Sequence, residues 1–483
     1  MLLDWKILLI FAISLLFYYR LKTSRAQKVY LAALNCIIYM AYIPRGGIIL
    51  LAMLSFGAWI VAGTFSRRKN KKTLTIAIGT MILVLLIARL DSIGKLGVCL
   101  ADNGILENII RSISGSDSSE QLLVTTGISF YAMEIISYLV DCYRGESAGR
   151  LIDVFAYVGF FPTVTSGPIV KWHEISGKVD DYHDFSLSNF SLGLQRFMLG
   201  VFEKKVIADR LGVGVDAVYA APSEYSGMSL LFTSIGYSLQ LLADFSGYSD
   251  MAIGIAIMLG IHVPENFELP YLALDLSEFW KRWHISLSSW LTEYIYFPLG
   301  GNRKGKIRTW LNTIVTMVVS GLWHGLGLNY ILWGFGHGVA LNVQRELRGK
   351  LEFRRGSKRK TCVYRYMMQA ISWFVTLCFV NVMWIPFRIK DPKLAWEVIF
   401  RIVTWAPGIT YVYTYTIAFA LLLALILGNA LIRKEAGNIR KRHRLYVIFD
   451  MSTLKGKYLF VMLIFLIIAF GYFGNTAFIY AGF

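Results

Sequence analysis

Long apolar blocks alternate with clusters of basic residues along the chain. The first block covers residues 7–19, and the basic cluster at 20–28 follows it. A later block at 48–65 ends at a second basic cluster at 67–72. Because a helix of about 20 apolar residues crosses roughly 30 Å of hydrocarbon, this pattern predicts a series of membrane-spanning helices.

The basic clusters give each crossing a direction, because Lys and Arg are retained on the cytoplasmic side of a membrane. With the clusters at 20–28 and 67–72 inside, the net-acidic loop at 91–121 lies outside. Further clusters are predicted inside at 303–308, 345–360 and 433–444. The last apolar runs are 362–386, 410–432 and 459–478. The prediction is a multi-pass protein of the cell membrane with both its N-terminus and its C-terminus outside.

The stretch at 150–297 is the hardest to divide into spans, because prolines such as Pro162 and Pro264 and many glycines interrupt its apolar runs. We expect broken or re-entrant helices there, which membranes tolerate only where protein or a water-filled cavity surrounds them. No Pro-, Ser- or Gly-rich linker and no internal repeat is visible, so residues 1–483 are predicted to form a single integral-membrane domain. The predicted fold class is an all-α polytopic membrane protein with about 10–13 transmembrane or re-entrant helices.

Composition excludes both a soluble globule and a disordered chain. Of the 483 residues, 56% are hydrophobic and 17% are charged, whereas soluble proteins carry about a quarter charged residues. A net charge of +18 would suggest nucleic acid as a partner of a soluble protein, but these basic residues lie between apolar blocks. Topology and contact with the lipid bilayer explain them better, so no nucleic-acid partner is expected. The five cysteines include no CxxC pair, and no metal site is expected.

One histidine is predicted to lie deep in the membrane. Only 36 residues separate Arg308 from Arg345, which are both assigned inside, and as helix these residues span about 54 Å. Two short helices joined by a turn within 320–330 fit this length and bury His324. Imidazole can accept a proton from a hydroxyl and pass it on, so a buried histidine is a functional hypothesis. Burial alone is equally compatible with a histidine that only hydrogen-bonds a neighbouring helix.

Two further segments combine polar groups with apolar surroundings. Residues 277–306 mix aromatic and basic side chains, which is typical either of an interfacial amphipathic helix or of a cytoplasmic mouth in which His284 faces a passage. The segment at 243–254 places Asp244 and Asp250 in a mainly apolar context, where carboxylates are costly unless they are paired or wetted. These two carboxylates could orient a histidine, bind a sugar hydroxyl, or form structural links to Arg or backbone groups.

Together these segments resemble the membrane-bound O-acyltransferase family, and within it the bacterial branch typified by alginate O-acetyltransferase. The matching segments are GISFYAMEIISYLVDCYRGE at 127–146, FFPTVTSGPIVKW at 160–172, DFSGYSDMAIG at 244–254, PENF at 264–267, FWKRWHISLSSWL at 279–291, YFPLGGNRKG at 296–305, SGLWHG at 320–325 and WIPFR at 384–388. Spread from residue 127 to residue 388, they span about half of the chain in the order typical of the family.

The resemblance implies a helical bundle around a central tunnel and an O-acyltransferase activity. An acyl group, by preference acetyl, would pass from a cytoplasmic thioester to hydroxyls of an extracytoplasmic polysaccharide. The donor would be acetyl-CoA or an acyl-carrier protein, used as substrate with no bound cofactor. By the same resemblance the protein would lie in a bacterial cell membrane, and an extracellular or periplasmic acyltransferase partner could complete the transfer.

The resemblance also implies the residues of the site. The principal histidine of the family falls on His324 and the second on His284, and both are expected to be catalytic. The expected substrate contacts are Asp244, Tyr248, Asp250, Arg282, Trp283, Trp323 and His337.

Three other functions stay open at this point. A sister branch of the family transfers D-alanine toward teichoic acid. A polysaccharide or lipid transporter without chemistry would need inverted halves or a nucleotide-binding domain, and the sequence shows neither. A structural subunit that recruits an extracellular acyltransferase is the third alternative.

Overall fold

The computed structural model describes residues 1–42, 45–92, 127–176, 181–355, 362–411, 449–474 and 479. Throughout these ranges the regular structure is helical, and no strand occurs in them. Most of the predicted acidic loop at 91–121, the apolar run at 410–432 and the basic cluster at 433–444 lie outside the described residues.

The chain divides into two compact units, and each is described by itself. The first contains Met1–Phe197 and Tyr248–Pro264, and the second contains Met198–Gly247 and Glu265–Ile479. The helices that begin in the first unit are α1 Trp5–Tyr18, α2 Ser24–Tyr42, α3 Arg45–Phe65, α4 Lys71–Ser92, α5 Ile128–Arg144, α6 Leu151–Val158, α7 Trp172–Ile175 and α8 Leu187–Phe202. Those that begin in the second are α9 Asp209–Ala220, α10 Gly227–Met258, α11 Leu276–Arg282, α12 Ile285–Leu291, α13 Lys306–His324, α14 Leu328–Arg355, α15 Cys362–Arg388, α16 Pro392–Val403 and α17 Leu454–Phe470.

Four of the described helices are long and apolar enough to cross a membrane. They are Gly47–Phe65, Lys71–Arg89, Gly227–Met258 and Tyr366–Arg388. The protein is therefore an all-α multi-pass membrane protein, as the hydropathy pattern predicts. The larger total of spanning and re-entrant helices, and the central tunnel, stay predictions.

The first unit has an apolar core with a few polar links inside it. Tyr138 of α5 packs edge-on against Trp172, with their ring centroids 5.0 Å apart. The Oδ1 atom of Asn35 accepts a hydrogen bond of 3.2 Å from the backbone N–H of Phe161 and so ties α2 to the loop at 159–171. Such a bond is valuable here, because a buried backbone donor has no water to pair with.

The predicted breaks in the stretch at 150–297 are confirmed. Two π-helical segments, Glu203–Ala208 and Thr292–Tyr296, interrupt the α-helices. A further break separates α11 from α12, so the segment around His284 is two short helices and not one amphipathic helix. Prolines explain only part of this pattern, because none lies within the π-helical segments.

The helical hairpin formed by α13 and α14 is the feature that positions the candidate site. The two helices are joined by residues 325–327, where the distance between basic clusters predicts a turn. Their backbones approach so closely that a Cβ atom on Gly334 would lie 2.3 Å from the carbonyl oxygen of Met317. A Cβ atom on Gly321 would lie 2.2 Å from the carbonyl oxygen of Tyr330. Small residues permit this contact, as they do generally between membrane helices.

We predict that Gly334→Ala destabilises the protein, because the new methyl group meets backbone that must move. Overpacking of this kind costs about 1–3 kcal/mol. Gly63→Ala is the matched control, since nothing lies within 4 Å of its added Cβ. Thermal unfolding of both variants in detergent should show a lower midpoint for Gly334→Ala alone, and equal midpoints would contradict the observed helix contact.

Candidate active site

His324 is the last residue of α13 and is buried, with 3% of its surface exposed. Aromatic rings surround its imidazole. The ring centroid of Trp323 lies 4.8 Å away, that of Phe387 5.0 Å away and that of Trp333 5.5 Å away. The Trp333 and Phe387 contacts come from α14 and α15, so three helices of the second unit converge on this histidine.

Three histidines and two tryptophans form one continuous row of rings, which we call the histidine row. His284 contacts Trp323 at 5.8 Å, and Trp323 contacts His324. Beyond His324, Trp333 contacts His337 at 4.9 Å. All five residues belong to the second unit, and each is less than one-tenth exposed. The sequence-based assignment of His284, Trp323, His324 and His337 to one site thus agrees with their placement, although their chemical roles stay predictions.

His284 is held at the break between α11 and α12. Its backbone adopts a left-handed conformation, with φ 43° and ψ 55°, which is uncommon for a residue other than Gly. Its Nδ1 atom lies 3.3 Å from Oδ1 of Asn266. When Nδ1–H donates this bond, the proton stays on Nδ1 and the lone pair is on Nε2. Backbone strain of this kind clusters at functional sites.

Asn266 is a positioning residue that the sequence-based site does not include. Its Oδ1 atom also accepts hydrogen bonds from the hydroxyl of Ser286 at 2.6 Å and from the backbone N–H of Ser286 at 3.3 Å. The amide therefore fixes both the imidazole and the first turn of α12. In the sequence, Asn266 is marked only by its place in PENF, one of the segments that carry the family resemblance. No spacing rule connects this segment to His284.

Trp283 and Arg282 stand beside the break but outside the histidine row. The Trp283 ring stacks on Phe279 at 5.6 Å and packs against Trp384 at 4.9 Å. Arg282 pairs with Glu278 one turn earlier on α11. Both predicted substrate contacts thus have protein partners, and their contact with a substrate stays a prediction.

Asp244 is part of a buried ion-pair cluster in the second unit. The Nζ atom of Lys204 lies 2.6 Å from Oδ1 of Asp244 and 2.7 Å from Oδ1 of Asp209. The other carboxylate oxygen of Asp244 accepts a hydrogen bond of 2.8 Å from the backbone N–H of Ile479. Three roles were left open for this carboxylate: orienting a histidine, binding a sugar hydroxyl, or forming a structural link. The observed contacts, with Lys204 and with the backbone of Ile479, are those of a structural link.

Tyr248 and Asp250, the other two predicted substrate contacts in the segment at 243–254, belong to the first unit. The hydroxyl of Tyr248 lies 2.5 Å from that of Thr165. A carboxylate oxygen of Asp250 accepts two hydrogen bonds from the guanidinium of Arg196, at 2.7 and 3.0 Å. Within the first unit, these contacts link α10 to α8 and to the loop at 159–171.

The first unit also contains a cavity of about 430 Å³ that none of the predicted site residues lines. Lys28 and Asp153 form a buried ion pair of 3.3 Å in its wall. His183 and His262 also line it. Burial lowers the pKa of His183, and His262 adds to this shift, whereas the negative charge of Asp181 opposes it.

Comparison with known proteins agrees with this arrangement. The sequence profile of the membrane-bound O-acyltransferase family matches residues 146–385, which include the whole histidine row. The chain is 40% identical over 276 residues to the probable alginate O-acetylase AlgI of Pseudomonas syringae, covering 57% of this chain and 51% of that protein. It is 35% identical over 307 residues to the peptidoglycan O-acetyltransferase of Helicobacter pylori, covering 58% and 56% of the two chains.

A third relative is more distant. The teichoic acid D-alanyltransferase of Bacillus subtilis is 28% identical over 235 residues, which cover 46% of this chain and 58% of that protein. The chain spans about half the length of the curated relatives it matches. The fold and the histidine row thus define an integral-membrane protein with a buried aromatic site. The chain belongs to the membrane-bound O-acyltransferase family, in its alginate O-acetyltransferase-like bacterial branch.

We predict that Asn266→Ala destabilises the second unit, because His284 and both donors of Ser286 lose their acceptor. Leaving a buried donor without a partner costs about 1–3 kcal/mol. Thermal unfolding in detergent measures this effect, and Thr404→Ala, which removes an exposed hydroxyl, is the control. An unfolding midpoint of Asn266→Ala equal to that of the control would contradict the positioning role.

Proposed function

We propose that the chain is an O-acyltransferase that moves an acyl group, by preference acetyl, from a cytoplasmic thioester to hydroxyls on the other side of the membrane. The histidine row carries this proposal, because it places a proton acceptor among apolar rings inside the membrane-embedded second unit. The named acetyltransferase relatives support the same reaction class.

His324 is the general base in this mechanism. The hydroxyl oxygen of the acceptor attacks the thioester carbonyl carbon, and a neutral imidazole nitrogen takes the hydroxyl proton. The new C–O bond forms, the C–S bond breaks, and the proton passes from His324 to the leaving sulfur, which departs as a thiol. A thioester is already activated, so no Ser or Cys nucleophile is needed. Orientation of both reactants supplies a further part of the rate.

His284 is the second catalytic histidine in this proposal. Its ring contacts that of Trp323, which in turn contacts His324. Asn266 orients its imidazole. This arrangement suits a group that orients a reactant or receives the proton at a later stage. Trp323 and His337 belong to the same row and would contact the substrates.

The acceptor is a polysaccharide or peptidoglycan hydroxyl in this proposal. Relatives named as alginate and peptidoglycan acetylating proteins match with 35–40% identity, whereas the D-alanyltransferase relatives match with 28–30%. This difference favours acetyl over D-alanyl transfer. The protein would lie in the bacterial cytoplasmic membrane with both termini outside, and an extracytoplasmic acyltransferase partner would complete the transfer where the acceptor is not reached directly.

We predict that His324→Ala abolishes thioester turnover, with a loss of about 10²–10⁴-fold, the usual contribution of a general base. Purified wild-type protein and the variant in lipid nanodiscs are given radiolabelled acetyl-CoA with a cell-envelope acceptor, and released CoA thiol and acetyl ester are measured. His183→Ala, a histidine variant of the first unit, should keep wild-type turnover.

Retained turnover in folded His324→Ala protein would refute the assignment of the base. If wild-type protein moves acceptor across the membrane without cleaving any thioester, including an acyl-carrier protein thioester, the transport alternative holds and the acyltransferase proposal fails.

A further inference from the structure

Two buried indole N–H groups, one in the histidine row and one beside it, have no acceptor in the described part of the chain. The Nε1 atoms of Trp280 and Trp333 are both buried, and among the described residues neither has a hydrogen-bond partner. The two rings contact each other at 5.7 Å, and Trp333 is only 1% exposed. Buried polar groups are nearly always hydrogen-bonded, so two neighbouring exceptions require an explanation.

His337 belongs to the same group of rings. Its centroid lies 5.1 Å from that of Trp280 and 4.9 Å from that of Trp333, and it is fully buried. Within the described residues both of its ring nitrogens lack a partner. Three rings in mutual contact thus carry polar atoms that no described residue pairs with.

Several other indoles of the described residues donate a hydrogen bond within the protein. Trp172 donates to the backbone carbonyl of Ser147 at 2.8 Å, and Trp373 donates to that of Tyr271 at 2.8 Å. Trp384, which packs against Trp333, donates to the hydroxyl of Tyr271 at 3.2 Å. Acceptors are therefore present near buried indoles whose role is structural.

We propose that Trp280 and Trp333 donate hydrogen bonds to the carbonyl oxygen of the acyl thioester and stabilise the negative charge that this oxygen gains during transfer. An indole can only donate, so its ligand must be an acceptor. Trp333 contacts both His324 and His337, so this oxygen is bound one ring away from the proposed base. The imidazole of His337 contacts both indoles and supplies one further donor.

The electron flow at this step explains why the donors matter. As the acceptor oxygen bonds to the carbonyl carbon, the carbonyl π pair moves onto the oxygen, which becomes an oxyanion. The pair returns as the C–S bond breaks and the sulfur takes the proton from His324. Preorganised donors in a water-excluded site stabilise such an oxyanion strongly. This inference rests on the proposed function, because it assigns residues to that reaction.

The test compares Trp333→Phe and Trp280→Phe with Trp172→Phe in the full chain, purified in nanodiscs. Each of the first two should lower kcat for labelled acetyl-CoA by about 10²–10³-fold, as loss of one oxyanion donor does, with little change in KM and little change in the unfolding midpoint. Trp172→Phe loses a hydrogen bond within the protein, so it should lower the unfolding midpoint and leave kcat unchanged.

A second measurement does not depend on turnover. The infrared carbonyl stretch of a bound ¹³C-labelled ketone analogue of acetyl-CoA should lie at lower frequency in wild-type protein than in Trp333→Phe. A kcat equal to that of wild-type protein in both Trp280→Phe and Trp333→Phe, or an unchanged carbonyl frequency, would overturn this inference. The proposed acyltransferase function would still stand in that case if His324→Ala loses activity. Absence of turnover in wild-type protein would instead count against the proposed function itself.

Discussion

The backbone contact between α13 and α14 is the constraint on which the candidate site depends. At Gly321 and Gly334 no side chain fits between the two helices. This contact brings the end of α13 beside the first turns of α14, so that His324 meets Trp333 and Trp333 meets His337. Larger residues at the two glycines would separate the helices and with them the rings, because membrane helices gain stability from close packing and not from the exclusion of water.

The second constraint is that a membrane offers no water to polar groups. Where this chain buries polar side chains, it usually supplies partners, as it does for Asp244 with Lys204 and for Asn266 with Ser286. The indoles of Trp280 and Trp333 depart from this pattern beside His324. Two neighbouring donors beside the proposed base are what a site built around a reacting carbonyl requires.

The helical hairpin and the burial of His324 could be predicted from the sequence. Basic clusters mark the ends of the segment between Arg308 and Arg345, and its length leaves room for two short helices only, so the turn and the histidine must lie between them. The family resemblance then brought His284 into the same site. These predictions rest on local pattern and on segment length, both of which one sequence displays.

Partners distant in the sequence could not be predicted. Lys204 and Asp244 are 40 positions apart, and nothing in the spacing shows that a π-helical segment brings them together. The left-handed conformation of His284 is equally hidden in the sequence, because only a few per cent of residues other than Gly adopt a positive φ. The role of Asn266 depends on that conformation, and so it appears only in the structure.

In the proposed reaction, one buried site receives an acyl group from one face of the membrane and an acceptor from the other. The most direct measurement uses proteoliposomes that hold labelled acetyl-CoA only in the lumen and a polysaccharide acceptor only outside. The account predicts labelled ester on the outer acceptor with wild-type protein, and none with a His324→Gln variant. Ester formation only when donor and acceptor share a compartment, or equal formation by the variant, would contradict it.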